Sequence, residues 1–349
     1  MVNINKFFKE DVMKVKMNIE SFNEGLQKLK ERYKIFAPKA FSCRGTYSDT
    51  DLIKYDEVYK FEEMEFKRKS AFSPKEVMLP INQVLFYFTE DEFRETKKEY
   101  GEKEIIIFLR ACDLNAVKRV DQIYLGNGPE DNFYKRIREK TKFILVGCSE
   151  SFRNCFCVSM NSNKADEYNA AMNIREDEIQ LEILDDELNV FEGTSGEFEI
   201  DYVRENKFKV NVPEEVDFTY MKDHDMWREY DSRCIGCGRC NFSCPTCTCF
   251  SMQDIFYREN QNAGERRRVW ASCQIDGYTN IAGGHSFRQK QGDRMRFKTM
   301  HKIHDFKERF GYDMCVGCGR CDDQCPQYIS FSEAIEKVNN AMKEKEKNI

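Results

Sequence analysis

Apolar residues near both ends of the chain have the spacing of amphipathic helices. Within residues 4–36 they recur every three or four positions, at Phe22, Leu26, Leu29 and Tyr33. This spacing predicts one helix with a packing face. Phe331–Lys347 shows the same spacing in a highly charged segment, at Ala334, Val338 and Met342. We interpret it as a solvated amphipathic helix that caps the structure.

The middle of the first half has a different pattern, made of short apolar runs rich in β-branched residues. Strands are predicted at residues 83–88, 104–110 and 142–148, with a helix at residues 114–125. Runs of this kind that alternate with a helical segment are typical of a βαβ unit whose strands are buried on both faces. The sequence therefore predicts an α/β sheet.

Alternating polar and apolar residues at 178–212, including KFKVNV, predict hairpin strands that close the first domain. Residues 217–230 favour a short helix and linker, and the composition changes abruptly at Cys234. The predicted domains are an α/β domain at residues 1–220 and an α-helical ferredoxin-like domain at residues 221–349, with a long insertion at 250–314.

The composition directs attention to cysteine. The 349 residues include 16 cysteines and only 4 histidines, and the net charge of −6 argues against a nucleic-acid partner. No apolar run approaches the roughly 20 residues of a membrane span, and the N-terminus lacks the apolar core of a secretory leader. We therefore expect a cytoplasmic protein, in which dense cysteine indicates metal ligands or reactive thiols.

Two cysteine motifs in the second domain have the spacing of ferredoxins. The pattern C-x2-C-x2-C-x3-C-P occurs at residues 234–245 and again at 315–326. Three closely spaced thiolates can surround one cubane, and the fourth commonly binds the other cluster of a two-cluster ferredoxin. The sequence predicts two 4Fe-4S clusters. Their ligands are Cys234, Cys237, Cys240 and Cys325 for cluster 1, and Cys315, Cys318, Cys321 and Cys244 for cluster 2.

The alternative to the two 4Fe-4S clusters is structural zinc. Zinc sites usually pair two C-x2-C knuckles across a longer spacer, which differs from the spacing of these motifs. The segment between the two motifs adds Cys247, Cys249 and Cys273, which either help to hold another cluster or pack as small apolar residues. Residues 258–310 also contain twelve Lys or Arg and six Asp or Glu. The basic surface that this segment would form would either dock an acidic redox partner or face solvent. For His301 and His304 we favour surface or packing roles.

The first domain contains a further group of four cysteines. Cys112 and Cys148 each follow a predicted buried strand, so parallel strands would bring both thiols to one edge of the sheet. Cys155 and Cys157 lie in the loop that follows. These four residues predict a third 4Fe-4S cluster, the alternative being inert buried thiols, and Cys43 is assigned no role. No nucleotide-binding motif is present, so we expect neither NAD nor ATP on this chain.

Several segments together resemble the iron-sulfur electron-transfer subunit of the anaerobic sulfite reductase. They extend from about residue 36 to residue 331, and the most particular are FLRACDLNAV, SFRNCFCVSM, CPTCTCF and RRRVWASC. The same plan is similar to the β subunit of cytosolic sulfhydrogenases. One departure is Asn161, which stands where members of the family often have glycine.

The resemblance implies a chain that relays electrons within a larger complex. In the sulfite reductase family a partner subunit binds flavin and NADH and another carries sirohaem, so the resemblance implies that none of these three groups binds this chain. The implied activity is NADH-dependent reduction of sulfite to sulfide, with no catalysis by the isolated chain. The eight ferredoxin cysteines match family positions, and so do Cys112, Cys148, Cys155 and Cys157. The alternatives are the β subunit of a NiFe sulfhydrogenase and, in another class, a zinc-bearing structural adaptor.

Overall fold

The computed structural model describes residues 12–96 and 101–347. The strands are β1 (Met13–Met17), β2 (Tyr33–Phe41), β3 (Leu52–Glu57), β4 (Asn82–Phe88), β5 (Phe93–Glu95), β6 (Glu104–Leu109), β7 (Thr141–Val146), β8 (Ala170–Ile174), β9 (Ile179–Ile183), β10 (Thr194–Ser195), β11 (Phe250–Phe256) and β12 (Gly264–Trp270). The helices are α1 (Ile19–Lys30), α2 (Lys75–Met78), α3 (Ala111–Leu125), α4 (Asn132–Arg138), α5 (Phe218–Met221), α6 (Glu229–Arg233), α7 (Arg239–Phe242), α8 (Gln291–Met300), α9 (Phe306–Phe310), α10 (Arg320–Asp323) and α11 (Phe331–Lys347).

The predicted α/β sheet is present and has eight strands, in the order β10-β1-β9-β8-β7-β6-β2-β3. Its centre, β2, β6, β7 and β8, is parallel. Ile106 and Phe108 of β6 pack into the core on one face, while Ile105, Ile107 and Leu109 pack into the core on the other. Both faces are therefore covered, as the uninterrupted apolar run predicted.

A second sheet joins the two halves of the chain, in the order β11-β12-β4-β5. The strand predicted at residues 83–88 forms as β4, but it pairs with β12 of the insertion instead of joining the βαβ unit. Arg266, Arg267 and Arg268 lie on β12 and each pairs with a carboxylate, that of Asp254, Glu265 and Asp131 respectively. This arginine run is therefore largely neutralised within the chain.

A single helix was predicted at residues 4–36. Residues 4–11 lie outside the described residues, and for residues 12–36 the prediction is wrong. The segment forms β1, α1 and β2. The Asn18 side chain accepts a hydrogen bond from the Ser21 amide at 2.9 Å and starts α1 there, so residues before it are free to pair as a strand. The helical spacing correctly identified the buried face of α1, but Tyr33 belongs to β2.

The strand predicted from KFKVNV, residues 207–212, is also wrong, because this segment has no regular structure. Its backbone groups bond to side chains instead of to a neighbouring strand. The Val210 amide donates to Ser159 Oγ at 3.0 Å, and the Asn211 amide donates to Glu336 Oε2 at 2.7 Å. Alternation of polar and apolar residues therefore reflects packing against α11 here.

The C-terminal helices pack around Trp227, Tyr230 and Met295. The helix predicted at Phe331–Lys347 forms as α11 with those bounds, and Ala334 and Val338 are fully buried against this core. One face of α11 is thus structural, and the other faces solvent. Within the described residues, no helix is both long and apolar enough to span a membrane.

Candidate metal centres

The first ferredoxin motif forms a cavity lined by thiols, which we call site I. Its predicted ligands, Cys234, Cys237, Cys240 and Cys325, all line this cavity, together with Cys321. Cys234 ends α6 and Cys240 lies in α7, while the turn between them uses Gly236 and Gly238 in left-handed conformations. Cys237 is exposed, so site I reaches the protein surface.

The second motif forms site II, with the predicted ligands Cys315, Cys318, Cys321 and Cys244. Burial raises the pKa of Cys315 to about 12 and that of Cys318 to about 11. The nearby Cys244 sulfur also raises both pKa values, so these three sulfurs lie close together. Forming thiolates in such surroundings requires nearby positive charge, which iron would supply.

A π-helical segment, His301–Asp305, positions the start of site II. It leaves the Lys302 carbonyl available to accept from the amides of Met314 and Cys315, at 2.9 and 3.2 Å. Such bulges in helices are frequent at functional sites. His301 and His304 lie within the same segment, and both contact the Asp305 carboxylate.

Site III lies at the edge of the large sheet where β6 and β7 end. Its four predicted ligands, Cys112, Cys148, Cys155 and Cys157, line one cavity there, as does Cys318 of site II. The parallel pairing of β6 and β7 brings the first two together, as predicted. The loop bearing the other two passes through Asn161, whose left-handed φ of 50° is a conformation that asparagine adopts more readily than most other residues.

Sites II and III are in direct contact because Gly317 and Gly319 allow close packing. A Cβ on Gly317 would lie 2.5 Å from the Phe156 carbonyl oxygen, and one on Gly319 would overlap the Asn154 carbonyl. The Phe156 amide donates to the Gly317 carbonyl at 2.7 Å. The loop of site III therefore packs against the backbone of site II.

Three buried lysines lie beside the ferredoxin sites and were not predicted from the sequence. Lys75, Lys298 and Lys302 are at most 7% exposed, and within the described residues none forms an ion pair with a carboxylate. Lys302 Nζ donates to Thr246 Oγ1 at 2.7 Å, and Lys75 Nζ donates to the Cys247 carbonyl at 2.9 Å.

Sulfur is the nearest source of negative charge for two of these lysines. Burial lowers the pKa of Lys298, but the Cys240 and Cys321 sulfurs raise it to a net value well above the usual one. Burial also lowers the pKa of Lys302, but the Cys244 and Cys247 sulfurs raise it to a net value above the usual one. Buried charges need opposite charge nearby. A cubane with four thiolates is anionic, so these cations fit a cluster in sites I and II.

The three remaining cysteines between the motifs differ in their neighbours. Cys247 contacts Cys244, while Cys249 and Cys273 contact each other. No three Cys, His, Asp or Glu side chains in the described ranges lie close enough to bind a single metal ion. The thiols of sites I and III instead surround cavities, an arrangement that suits a multi-iron cluster.

Comparison with known proteins agrees with the ferredoxin motifs. A family model described as a 4Fe-4S dicluster domain matches residues 233–329. The chain is 26% identical to Sulfhydrogenase 2 subunit beta of Pyrococcus furiosus, across 94% of this chain and 99% of that protein. No solved structure matches. The relation to a sulfhydrogenase β subunit is confirmed, and the dicluster domain supports iron-sulfur cofactors. The number of clusters and their ligands stay predictions.

Proposed function

We propose that this chain is the electron-transfer subunit of an oxidoreductase complex, with 4Fe-4S clusters at sites I, II and III. The observation that carries the proposal is the grouping of twelve thiols into three adjoining sites, two of them beside buried ammonium groups. Bound clusters would supply single-electron transfer at these positions. The protein supplies the ligands, the compensating charge and the spacing.

The proposed order of the relay is I, II, III. Cys321 of site II lines the site I cavity, and Cys318 of site II lines the site III cavity. Site II therefore lies between the other two. Because Cys237 of site I is exposed, we expect one partner to exchange electrons there and the other to do so near site III.

For the complete complex we propose sulfite reduction. Electrons would come from a subunit that binds flavin and NADH and leave for a sirohaem subunit that reduces sulfite to sulfide. The support is the resemblance of the RACD, NCFC, CPTCTC and RRRVWASC segments to the iron-sulfur subunit of the anaerobic sulfite reductase. Six electrons are needed per sulfite, so a relay of single-electron centres suits the task.

A second candidate is the β subunit of a NiFe sulfhydrogenase. The specific observation in its favour is the similarity to Sulfhydrogenase 2 subunit beta, which covers nearly all of both chains. The relay itself would be the same, and only the terminal partner would differ.

Purification with native partners in the absence of oxygen tests both levels of the proposal. Iron, acid-labile sulfide and zinc are measured per chain. About twelve irons and twelve sulfides support three clusters, about eight would confine them to the ferredoxin motifs, and zinc without iron would refute the relay. Sulfite-dependent NADH oxidation with sirohaem absorbance supports the first candidate. Hydrogen-dependent viologen reduction with bound nickel supports the second.

A matched pair of variants tests the ligand assignment. Cys321→Ser should lower bound iron and abolish electron transfer through the complex, because it removes a thiolate from site II. Cys43→Ser changes an exposed cysteine outside all three sites and should retain both properties. Normal iron content and full activity in Cys321→Ser would contradict the assignment.

A further inference from the structure

The β11–β12 hairpin brings together two cysteines that sites I to III do not use. Cys249 immediately precedes β11, and Cys273 lies three residues beyond the end of β12. The Ala271 amide donates to the Cys249 carbonyl at 2.9 Å, which continues the pairing of the hairpin past its last strand residues. As a result the Cys273 thiol donates a hydrogen bond to the Cys249 sulfur.

The two thiols differ in exposure and in hydrogen bonding. Cys249 is partly exposed and accepts from the Cys273 thiol and the Tyr278 hydroxyl, which together lower its pKa although burial opposes them. Cys273 is 3% exposed, and its pKa is raised, first by that hydrogen bond and then by burial. An accessible thiolate beside a buried thiol is the arrangement of an attacking and a resolving cysteine.

We propose that Cys249 and Cys273 are a redox-active dithiol that reduces a small disulfide substrate. The Cys249 thiolate attacks one substrate sulfur, the S–S bond breaks, and the first substrate thiol leaves with a proton from solvent. Cys273 then loses its proton and attacks the Cys249 sulfur, which releases the second thiol and forms a Cys249–Cys273 disulfide. The substrate gains two electrons, and the protein dithiol loses them.

The dithiol is placed to recover its electrons from site I. Asn241 is buried and follows Cys240 directly, with its Oδ1 3.6 Å from Cys240 Sγ and its Nδ2 3.1 Å from Cys273 Sγ. One amide side chain therefore contacts both sulfurs. Two single-electron transfers and two protons would reopen the disulfide, so the net reaction is RSSR + 2e⁻ + 2H⁺ → 2RSH. This recovery step rests on the proposed function, whereas formation of the disulfide does not.

Thiol trapping in the intact complex tests the pair. A Cys43→Ser parent removes the exposed thiol that lies outside sites I to III, and anaerobic protein is treated with 2-hydroxyethyl disulfide before peptide mass spectrometry. We expect a linked Cys249–Cys273 peptide and two released thiols per chain. Adding Cys273→Ser should stop the reaction at a mixed disulfide on Cys249, and adding Cys249→Ser should prevent both products.

Iron content in the same samples separates this role from metal binding. Normal iron in both variants is expected, and loss of iron from either would show that the residue is a ligand and overturn the proposal. Absence of the linked peptide in the parent would overturn it as well. A wild-type complex without iron would refute the proposed relay, while a linked peptide in that sample would still support the dithiol.

Two further variants test the neighbours of the pair. Tyr278→Phe removes a donor to Cys249, so half-maximal reaction should move to higher pH, and an unchanged pH profile would contradict the assigned hydrogen bond. Asn241→Leu, with normal iron, should slow reopening of the linked pair by reduced methyl viologen several-fold. Reopening at the parental rate would overturn the transfer from site I.

Discussion

Replacement of Lys302 by methionine should lower the reduction potential of site II. Lys302 is 2% exposed, and its ammonium group lies beside the predicted ligand Cys244. Thr246 Oγ1 is 2.7 Å from Lys302 Nζ and 3.4 Å from Cys244 Sγ, so nitrogen and sulfur are separated by at most about 6 Å. Methionine keeps much of the side-chain volume but removes the charge. An added electron at site II then loses a nearby attraction.

The size of the effect follows from Coulomb's law. One unit charge at about 6 Å, with an effective dielectric constant of about 20, attracts an electron by about 3 kcal/mol. For a one-electron couple this energy corresponds to a shift of about 120 mV. Net charge near a cluster is one of the factors that set its potential. We therefore expect the potential of site II to fall by about 100 mV.

A redox titration followed by electron paramagnetic resonance measures this shift, with iron content determined in parallel. Lys343→Met removes the same charge from an exposed position on α11 and serves as the control. Its potentials should stay at the wild-type values. If Lys302→Met holds normal iron and every centre shifts by less than about 20 mV, the assigned electrostatic role is refuted.

Two other variants test how sites II and III are built. Gly317→Ala places a methyl group 2.5 Å from the Phe156 carbonyl, so it should lower the melting temperature and the iron content. Gly311→Ala is the control, because Gly311 has a similar φ of 81° and an added Cβ there would meet no atom within 4 Å. It should cost only about 1–2 kcal/mol of backbone strain. Equal effects of the two variants in thermal unfolding would contradict the packing argument. Cys155→Ser should remove about four irons relative to Cys43→Ser, and unchanged iron would exclude Cys155 as a ligand.

The sequence predicted the parts of the candidate site that depend on short spacings. The spacing of the two ferredoxin motifs predicts which thiols come together, and the structure places Cys325 with the first motif and Cys244 near the second. Site III was predictable for a different reason. The ends of parallel strands share one edge, so Cys112 and Cys148 could be placed together before their loops were known.

Other features depend on tertiary packing and have no local signal. Lys298 and Lys302 are four residues apart in a strongly basic segment, where lysine normally faces solvent, yet both are buried. The strand β4 was predicted from its apolar run, but its partner β12 lies far away in sequence and was not predicted, because the pairing depends on tertiary structure. The start of α1 after Asn18 was not predicted, because the apolar spacing of the helix continues into the strands on either side of it.

The spacing between sites II and III is set by residues next to their predicted ligands. Arg320 precedes Cys321, and Asp113 follows Cys112. The two side chains form a buried, bidentate ion pair with N–O distances of 2.6 and 2.8 Å. Since breaking such a pair typically costs about 3–5 kcal/mol, it holds α10 firmly against α3. The electron path we propose therefore depends on both predicted domains, and a dicluster motif alone would not position its third centre.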